Sequence, residues 1–286
     1  MPDVVYLNGR IVPPSEAVIS VNDRGFLFGD SVYEVLRSYG GRLWALNRHL
    51  RRLARSLAAI DLHTVDLEEV RAAIEETYRA SSLPDAVVYL QITRGVAPRA
   101  HAYPRDLQPT VVITVRDVAP ALASIDFDGV AAVTAPDLRW RRCDIKSTNL
   151  LPNVLAKTRA HDHGVDEAIL IDAEECVTEG SSTSVFWVAQ NRLFTTPAGP
   201  EILPGITREL IAEIAREEGI PLLAERVRLD QFRRASEVFL AGTVHEVCPV
   251  IRLDDAPVGS GRAGPLTLQL QKGYRARVAA GDDELR

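Results

Sequence analysis

Long apolar runs are missing from this sequence of 286 residues. A membrane-spanning helix needs roughly 18 or more consecutive apolar residues, and no segment approaches that length. The first residues also lack the basic start, the apolar stretch and the small-residue cleavage site of a secretory signal peptide. We therefore expect a cytoplasmic protein that does not bind a membrane.

Cysteine is scarce, and basic residues do not outnumber acidic ones. The three cysteines, Cys143, Cys176 and Cys248, have no metal-site spacing, and their odd number argues against a disulfide framework. We expect reduced thiols and no metal site. The formal net charge of −6 argues against nucleic-acid binding, which needs a basic surface. The dense arginine cluster, predicted to be mostly a solvated helix face, comprises Arg48, Arg51, Arg52 and Arg55.

Lysine is rarer than arginine, since only Lys146, Lys157 and Lys272 are found among 33 basic residues. Arginine keeps its proton near neutrality, whereas lysine becomes a nucleophile when its surroundings favour the neutral amine. Lys157 and Lys272 lie in predicted helices and are interpreted as surface residues. Lys146 lies where extended structure gives way to a helix, which makes it a candidate for chemistry, although a surface role is the commoner one for a lysine.

The pattern predicts a mixed α+β fold with two domains. Residues 1–118 form a small N-terminal α+β domain, 119–124 a linker, and 125–286 a larger C-terminal α/β domain that carries Lys146. Asn8-Gly9 supplies the positive φ angles of a hairpin turn, and Asn47 is predicted to cap a helix that runs to about residue 60. The other predicted elements of the first domain are strands 31–39, 86–93 and 110–115, a return strand within 42–46 and a helix over 66–81.

Three segments place functional groups at the ends of predicted elements, where binding sites usually lie. Segment 139–153 carries Lys146. Segment 177–184 carries Glu179 among small hydroxyl residues, and an ordinary solvated acid is the commoner role for such a glutamate. Segment 203–208 opens a helix whose free N–H groups suit a phosphate, although most helix N-termini bind no anion.

The combination of these segments resembles the fold-type IV pyridoxal-phosphate enzymes. The motifs that carry the resemblance are Asp23-Arg-Gly-Phe-Leu-Phe-Gly-Asp-Ser-Val-Tyr-Glu34, Cys143-Asp-Ile-Lys-Ser-Thr-Asn-Leu-Leu-Pro-Asn-Val-Leu-Ala-Lys157, Thr178-Glu-Gly-Ser-Ser182 and Leu203-Pro-Gly-Ile-Thr-Arg208. The resemblance extends from residue 22 to about residue 252. It implies a two-domain enzyme with pyridoxal 5′-phosphate at the domain interface.

The resemblance also implies roles for single residues. Lys146 forms the imine to the cofactor and later moves the proton between the substrate Cα and the cofactor C4′. Glu179 faces the pyridine nitrogen and keeps it protonated. Main-chain and side-chain donors bind the phosphate. Gly242 would allow the main chain to approach that phosphate closely, although an ordinary turn explains a glycine there equally well. The implied cofactor-binding residues are Lys146, Glu179, Arg52, Ser182, Leu203, Ile206, Thr207, Gly242 and Thr243.

Substrate choice depends on the loop that contains Arg99 and His101. A guanidinium beside an imidazole suits an α-carboxylate, although two loop residues are more often simply solvated. Together with Tyr33, the Arg-x-His pair resembles the carboxylate trap of D-amino-acid aminotransferases, in which it reaches over from the partner subunit. The resemblance therefore implies a homodimer that transfers amino groups between D-amino acids and 2-oxo acids.

Other activities of the same fold remain as alternatives. They are branched-chain L-amino-acid aminotransferase, (R)-amine aminotransferase and aminodeoxychorismate lyase. A catalytically silent protein that binds pyridoxal phosphate is the alternative outside enzymes.

Overall fold

The computed structural model describes residues 4–283, and their contacts divide them into two units. The first unit contains residues 4–120 and Ile145–Asn149. The second contains Ala121–Asp144 and Leu150–Asp283. Each unit has helices and a sheet of its own, so the predicted mixed α+β fold is confirmed.

An antiparallel sheet of six strands, in the order β2-β1-β6-β5-β3-β4, is the frame of the first unit. Its strands are β1 (Val4–Leu7), β2 (Arg10–Val12), β3 (Ser31–Tyr39), β4 (Arg42–Leu43), β5 (Ala86–Thr93) and β6 (Thr110–Asp117). The β1–β2 turn contains Asn8 at φ 46° and Gly9 at φ 91°, as the sequence predicted.

Three helices accompany this sheet: α1 (Arg24–Phe28), α2 (Leu46–Ala59) and α3 (Leu67–Ser81). The side chain of Asp66 caps α3 by accepting from the N–H of Glu68 at 2.8 Å and of Glu69 at 3.3 Å. Asn47 does not cap α2, so that prediction was wrong. The helix begins at Leu46, after Ala45 in the left-handed conformation (φ 56°).

The core of the first unit forms where α2 and α3 pack on the sheet. It contains the side chains of Leu36, Leu53, Ile74, Leu90 and Ile113, each at most 1% exposed. Burial of such side chains stabilises the unit by roughly 1.5–3 kcal/mol for each side chain. The core therefore fixes α2 firmly over β3.

The arginine cluster on α2 differs from the prediction of a mostly solvated face. Arg51 and Arg55 are exposed, but Arg48 is 1% and Arg52 3% exposed. Arg52 is buried because it binds the carboxylate of Glu34 on the neighbouring strand β3. A helix pattern alone does not reveal such a partner.

A mixed sheet of nine strands, in the order β12-β11-β10-β13-β14-β7-β8-β9 with β15 beside β14, forms the second unit. The pairs β11–β12, β7–β14 and β7–β8 are parallel, and the others are antiparallel. The strands are β7 (Val130–Pro136), β8 (Glu167–Ile171), β9 (Val177–Gly180), β10 (Ser184–Ala189), β11 (Arg192–Thr195), β12 (Leu222–Ala224), β13 (Glu237–Gly242), β14 (Glu246–Leu253) and β15 (Ala256–Pro257).

The remaining helices are α4 (Ala119–Leu122), α5 (Leu151–Asp162), α6 (Ile206–Glu217), α7 (Leu229–Phe232) and α8 (Pro265–Ala280). The first of them lies in the segment predicted as a linker. Between residues 4 and 283, no helix combines the length and apolar character needed to span a membrane.

The segment that carries Lys146 groups with the first unit, whereas the sequence placed it in the second domain. Its contacts explain the difference, because Ser147 bridges to Val32 of β3 and Thr148 donates its N–H to the carbonyl of Ser31 at 3.3 Å. The exact domain limits stay a prediction.

Candidate active site

Lys146 lies beside β3, and main-chain contacts hold it there. Its carbonyl accepts from the N–H of Tyr33 at 2.9 Å, and its N–H donates to the hydroxyl of Ser56 at 3.2 Å. The Lys146 amine lies 4.4 Å from the centroid of the Tyr33 ring. Two residues singled out from the sequence are therefore neighbours, and within residues 4–283 no carboxylate forms an ion pair with this amine.

A buried group of three ionisable side chains lies between β3 and α2. Arg52 donates from Nε and Nη2 to Glu34 at 2.8 and 2.7 Å, and His49 Nδ1 lies 2.7 Å from the same carboxylate. Burial alone would raise the pKa of Glu34, but Arg52 and His49 hold it well below its usual range. Burial lowers the pKa of His49, which Glu34 opposes and the charges of Arg52 and Lys146 reinforce.

Arg52 was expected to hold a phosphate, and two of its nitrogens contact Glu34 instead. Its side chain is 4% exposed. The carboxylate holds the guanidinium in one orientation, and its role toward a phosphate stays a prediction. Glu34 and His49 were not predicted as site residues, although Glu34 ends the first motif of the resemblance.

Arg99 and His101 lie in the loop between β5 and β6, and both are exposed. They meet at one aromatic ring, that of Phe28. The guanidinium carbon of Arg99 lies 5.2 Å from its centroid, and the His101 ring lies 5.8 Å away at an angle of 63°. Tyr33 stacks on Tyr89 at 5.7 Å.

Glu179 is the last residue but one of β9 and is 4% exposed. Its Oε2 accepts from Arg139 Nη1 at 2.6 Å and from the N–H of Leu203 at 3.1 Å. Burial raises the pKa of Glu179, and the neighbouring Arg139 works against that rise. The structure thus brings two predicted residues, Glu179 and Leu203, into contact.

Arg139 is a residue that sequence analysis did not assign, although it opens one of the segments singled out. Its guanidinium also contacts Asp137, with Nη2 donating to Oδ2 at 2.7 Å, and Thr178 donates its hydroxyl to the same oxygen at 2.7 Å. One buried guanidinium therefore faces two carboxylates, Asp137 and Glu179. The group carries a net negative charge when both acids are ionised.

Ser182 lies in the turn after β9 and is exposed. Its hydroxyl donates to Glu167 Oε2 at 2.9 Å, and the hydroxyls of Ser181 and Thr183 bind the same carboxylate. Glu167 is fully buried, and it fixes the shape of this turn. Glu167 was not predicted as a site residue, because an acidic residue inside a strand gives no local signal of its partners.

Ile206 and Thr207 form the N-terminus of α6, and each is 4% exposed. The preceding residue, Gly205, provides no side-chain cap, so the N–H groups of the first turn face the end of the helix. A Cβ on Gly242 would lie 3.5 Å from its nearest neighbour, which is ordinary contact, so protein atoms do not require glycine there. Thr243 follows in the turn between β13 and β14.

The site residues of each unit contain no metal-binding arrangement. Across residues 4–283, no three or more His, Cys, Asp or Glu side chains are placed to hold an ion. The carboxylates described here bind arginine, histidine and hydroxyl groups. All three cysteines are buried and unpaired.

Comparison with known proteins identifies what this chain is similar to. The family model for class IV amino-transferases matches residues 31–253. A D-alanine aminotransferase of Staphylococcus aureus (strain MSSA476) is 41% identical over 276 residues, which are 96% of this chain and 97% of the relative. A D-alanine aminotransferase of Bacillus licheniformis is 41% identical over 268 residues, 93% of this chain and 94% of the relative.

Solved structures show the same fold. The branched-chain aminotransferase of the thermophilic archaeon Thermoproteus uzoniensis, determined with norvaline, superposes with a TM-score of 0.88 at 31% identity, over 98% of this chain and 96% of that chain. Another branched-chain amino acid aminotransferase, determined with pyridoxamine 5′-phosphate, superposes with a TM-score of 0.89 at 28% identity. That match covers 98% of this chain and 95% of the other. The resemblance stated from the motifs is therefore confirmed.

Proposed function

The chain belongs to the class IV amino-transferase family, and from this premise we propose that it transfers amino groups from D-amino acids to 2-oxo acids. The observation that carries the proposal is the 41% identity to D-alanine aminotransferases across 96% of the chain. The pair Arg99 and His101 on one aromatic ring supports it. The general reaction is D-alanine plus 2-oxoglutarate giving pyruvate plus D-glutamate.

The cofactor is pyridoxal 5′-phosphate, and the chemistry of the donor set fits it. The chain offers a lysine amine outside any ion pair within residues 4–283, a buried carboxylate at Glu179 and the N-terminus of α6 with buried Thr207. These suit an aldehyde, a pyridine nitrogen and a phosphate respectively. When bound, the cofactor supplies an electron sink for the electrons released at the substrate Cα.

We assign Lys146 as the residue that binds the cofactor covalently. With the cofactor bound, the free Lys146 amine would take the proton from the substrate Cα and would return a proton at the cofactor C4′. Such a base needs to be neutral when it takes the proton. The cycle runs as two half-reactions of ping-pong type.

We assign Glu179 to the pyridine nitrogen. Burial makes its negative charge costly, so a positive group beside it stabilises the ionised carboxylate in addition to Arg139. Phosphate binding is proposed for Ile206, Thr207 and Thr243 together with Arg52. Contacts of Ser182, Leu203 and Gly242 with the cofactor complete the proposed set.

The preference for D-amino acids follows from where the carboxylate is bound. Because Lys146 would take the Cα proton, the Cα–H of the substrate would point to its amine, and the carboxylate and side chain would take the two remaining directions. Exchanging the two pockets inverts the accepted chirality. We propose that Arg99, His101 and Tyr33 bind the carboxylate, and that Arg99 and His101 serve the site of a partner subunit in a homodimer. The cytoplasmic location stays a prediction.

A second candidate function is transamination of branched-chain L-amino acids. Two solved structures with the same fold are branched-chain aminotransferases, at 31% and 28% identity. The higher identity to D-alanine aminotransferases favours the first candidate.

The experiment compares amino donors and a lysine variant. The purified protein is assayed with 2-oxoglutarate and either D-alanine or L-leucine, and Lys146→Ala is compared with Lys272→Ala, a change at an exposed lysine of α8. We expect activity with D-alanine, none with Lys146→Ala and full activity with Lys272→Ala. Turnover of L-leucine alone would favour the second candidate. Absence of a borohydride-stable adduct on Lys146 in tryptic peptides would overturn the lysine assignment.

A further inference from the structure

Apart from the ring of Phe28, the motif Asp23-Arg-Gly-Phe-Leu-Phe-Gly-Asp30 has no role in the site described so far. Asp23 caps α1 by accepting from the N–H of Gly25 at 2.8 Å. Its other oxygen accepts from the hydroxyls of Thr93 at 2.9 Å and Thr110 at 2.7 Å. These threonines end β5 and begin β6, so Asp23 joins α1 to both ends of the loop that carries Arg99 and His101.

Arg24 continues this connection into the loop itself. It is 3% exposed, and its Nε donates to Asp30 at 2.8 Å. Its Nη1 donates to the carbonyl of Ala100 at 2.7 Å and its Nη2 to the carbonyl of His101 at 3.1 Å. Because Ala100 lies between Arg99 and His101, one guanidinium fixes the main chain on which both side chains are mounted.

Phe28, at the other end of α1, contacts the side chains. Its ring lies 4.8 Å from the guanidinium carbon of Arg24, 5.2 Å from that of Arg99 and 5.8 Å from the His101 ring. The face of an aromatic ring attracts a cation, so it favours particular rotamers of an exposed arginine. An exposed side chain without such a contact loses more conformational freedom when it binds a ligand.

We propose that Arg24 and Phe28 are positioning residues that hold Arg99 and His101 ready for the α-carboxylate of the substrate. The inference rests on the proposed function, because it concerns the carboxylate-binding pair of that same site. Arg24 fixes the main chain of the loop, and Phe28 fixes the side chains. Their loss weakens the binding of carboxylate substrates more than it slows the chemistry at Cα.

The first test replaces the ring and keeps an apolar side chain. Phe28→Leu is compared with Phe26→Leu, the same substitution in the same helix at a side chain that is 73% exposed. We expect the KM for D-alanine and for 2-oxoglutarate to rise about fivefold in Phe28→Leu, with kcat changed less than about twofold. Phe26→Leu should leave both KM and kcat unchanged. A fall of kcat at unchanged KM would overturn the proposal.

A mutant cycle shows whether Phe28 acts through Arg99 and His101. When both are replaced by alanine, Phe28→Leu has neither side chain left to position, so we expect a further rise in KM of less than about twofold. A further rise in KM of about fivefold would mean that Phe28 affects the site independently of Arg99 and His101, which contradicts the proposal.

The third test measures the order of the loop without activity. Arg24→Lys keeps a positive charge beside Asp30 but lacks the fork that reaches two carbonyls as well. We expect trypsin to cleave the holoenzyme after Arg99 at least about fivefold faster than the wild type, while the circular dichroism spectrum is unchanged. Arg51→Lys, at an exposed position of α2, is the control. Equal cleavage of Arg24→Lys and the wild type would refute the role of Arg24.

The outcomes separate this inference from the proposed function. A wild-type protein that does not convert D-alanine contradicts the function, whereas the tryptic comparison still reports on Arg24. A wild type active on D-alanine, with Phe28→Leu indistinguishable from Phe26→Leu, contradicts the inference alone.

Discussion

Replacing Glu34 by glutamine tests the buried charge group of the first unit. The carboxylate is 1% exposed and contacts Arg52 twice and His49 once. Glutamine keeps the size of the side chain but leaves the guanidinium buried without its counter-charge. Breaking a buried ion pair from one side costs about 3–5 kcal/mol.

The expected loss is large enough to measure by thermal unfolding. One kcal/mol changes the melting temperature by roughly 2–4 °C for domains of this size, so Glu34→Gln is expected to unfold about 10 °C below the wild type at pH 7. Glu16→Gln, at an exposed position in the 3-10 turn Pro14–Glu16, is the matched control. It should change the melting temperature by less than about 2 °C.

The pH dependence gives the sign of the effect. The pKa of Glu34 is well below its usual range in the folded protein, because Arg52 and His49 outweigh the effect of burial. The stability that the charged carboxylate contributes is therefore complete above its unfolded pKa of about 4.3 and is lost as the pH falls toward the folded pKa. The difference in melting temperature between wild type and Glu34→Gln should become smaller below about pH 4. Equal melting temperatures at pH 7, or a difference that increases in acid, would refute the reasoning.

Three further predictions concern other positions. Asp66→Ala removes the cap of α3 and should cost about 1 kcal/mol in a urea titration, and a cost below ~0.3 kcal/mol would contradict the capping role. Gly95→Ala should destabilise the fold more than Gly164→Ala in the same titration, because both have positive φ but only at Gly95 would a Cβ overlap a backbone carbonyl oxygen. Arg139→Met should cost about 3–5 kcal/mol of unfolding free energy. The cost should be greater at pH 8 than at pH 5, because the pKa of Glu179 is raised and its ionised form loses the adjacent guanidinium charge. Equal costs at both pH values, measured by chemical denaturation, would contradict that account.

Local sequence signals predicted the elements whose causes are local. Asn8-Gly9 forms the hairpin turn, and residues 86–93 form a strand with the predicted limits, because turn chemistry and alternation act within a few residues. The start of α2 was wrong because Ala45 turns the chain in the left-handed conformation before the predicted cap. The short helix α1 was missed because five residues carry too little periodicity.

Most site residues that lie in recognisable sequence motifs were predicted, and their partners outside those motifs were not. Lys146 and Glu179 were singled out by residue type and by resemblance, and the contacts of Glu179 with Leu203 agree with the grouping of those motifs. The partners were not predictable, since Arg139 and Glu167 act through residues distant in sequence. Which charged side chains are buried depends on the tertiary packing, and one sequence does not specify that packing.

The grouping of Ile145–Asn149 with the first unit has a consequence for synthesis. The chain is made from its N-terminus, so residues 4–120 are synthesised before Ile145–Asn149, the segment that contacts Val32 and Tyr33. The first unit therefore lacks some of its native contacts until synthesis has continued beyond residue 149. A fragment that ends at residue 120 would leave β3 without these partners, and Lys146, the residue proposed to bind the cofactor, is among the last residues of that unit to be synthesised.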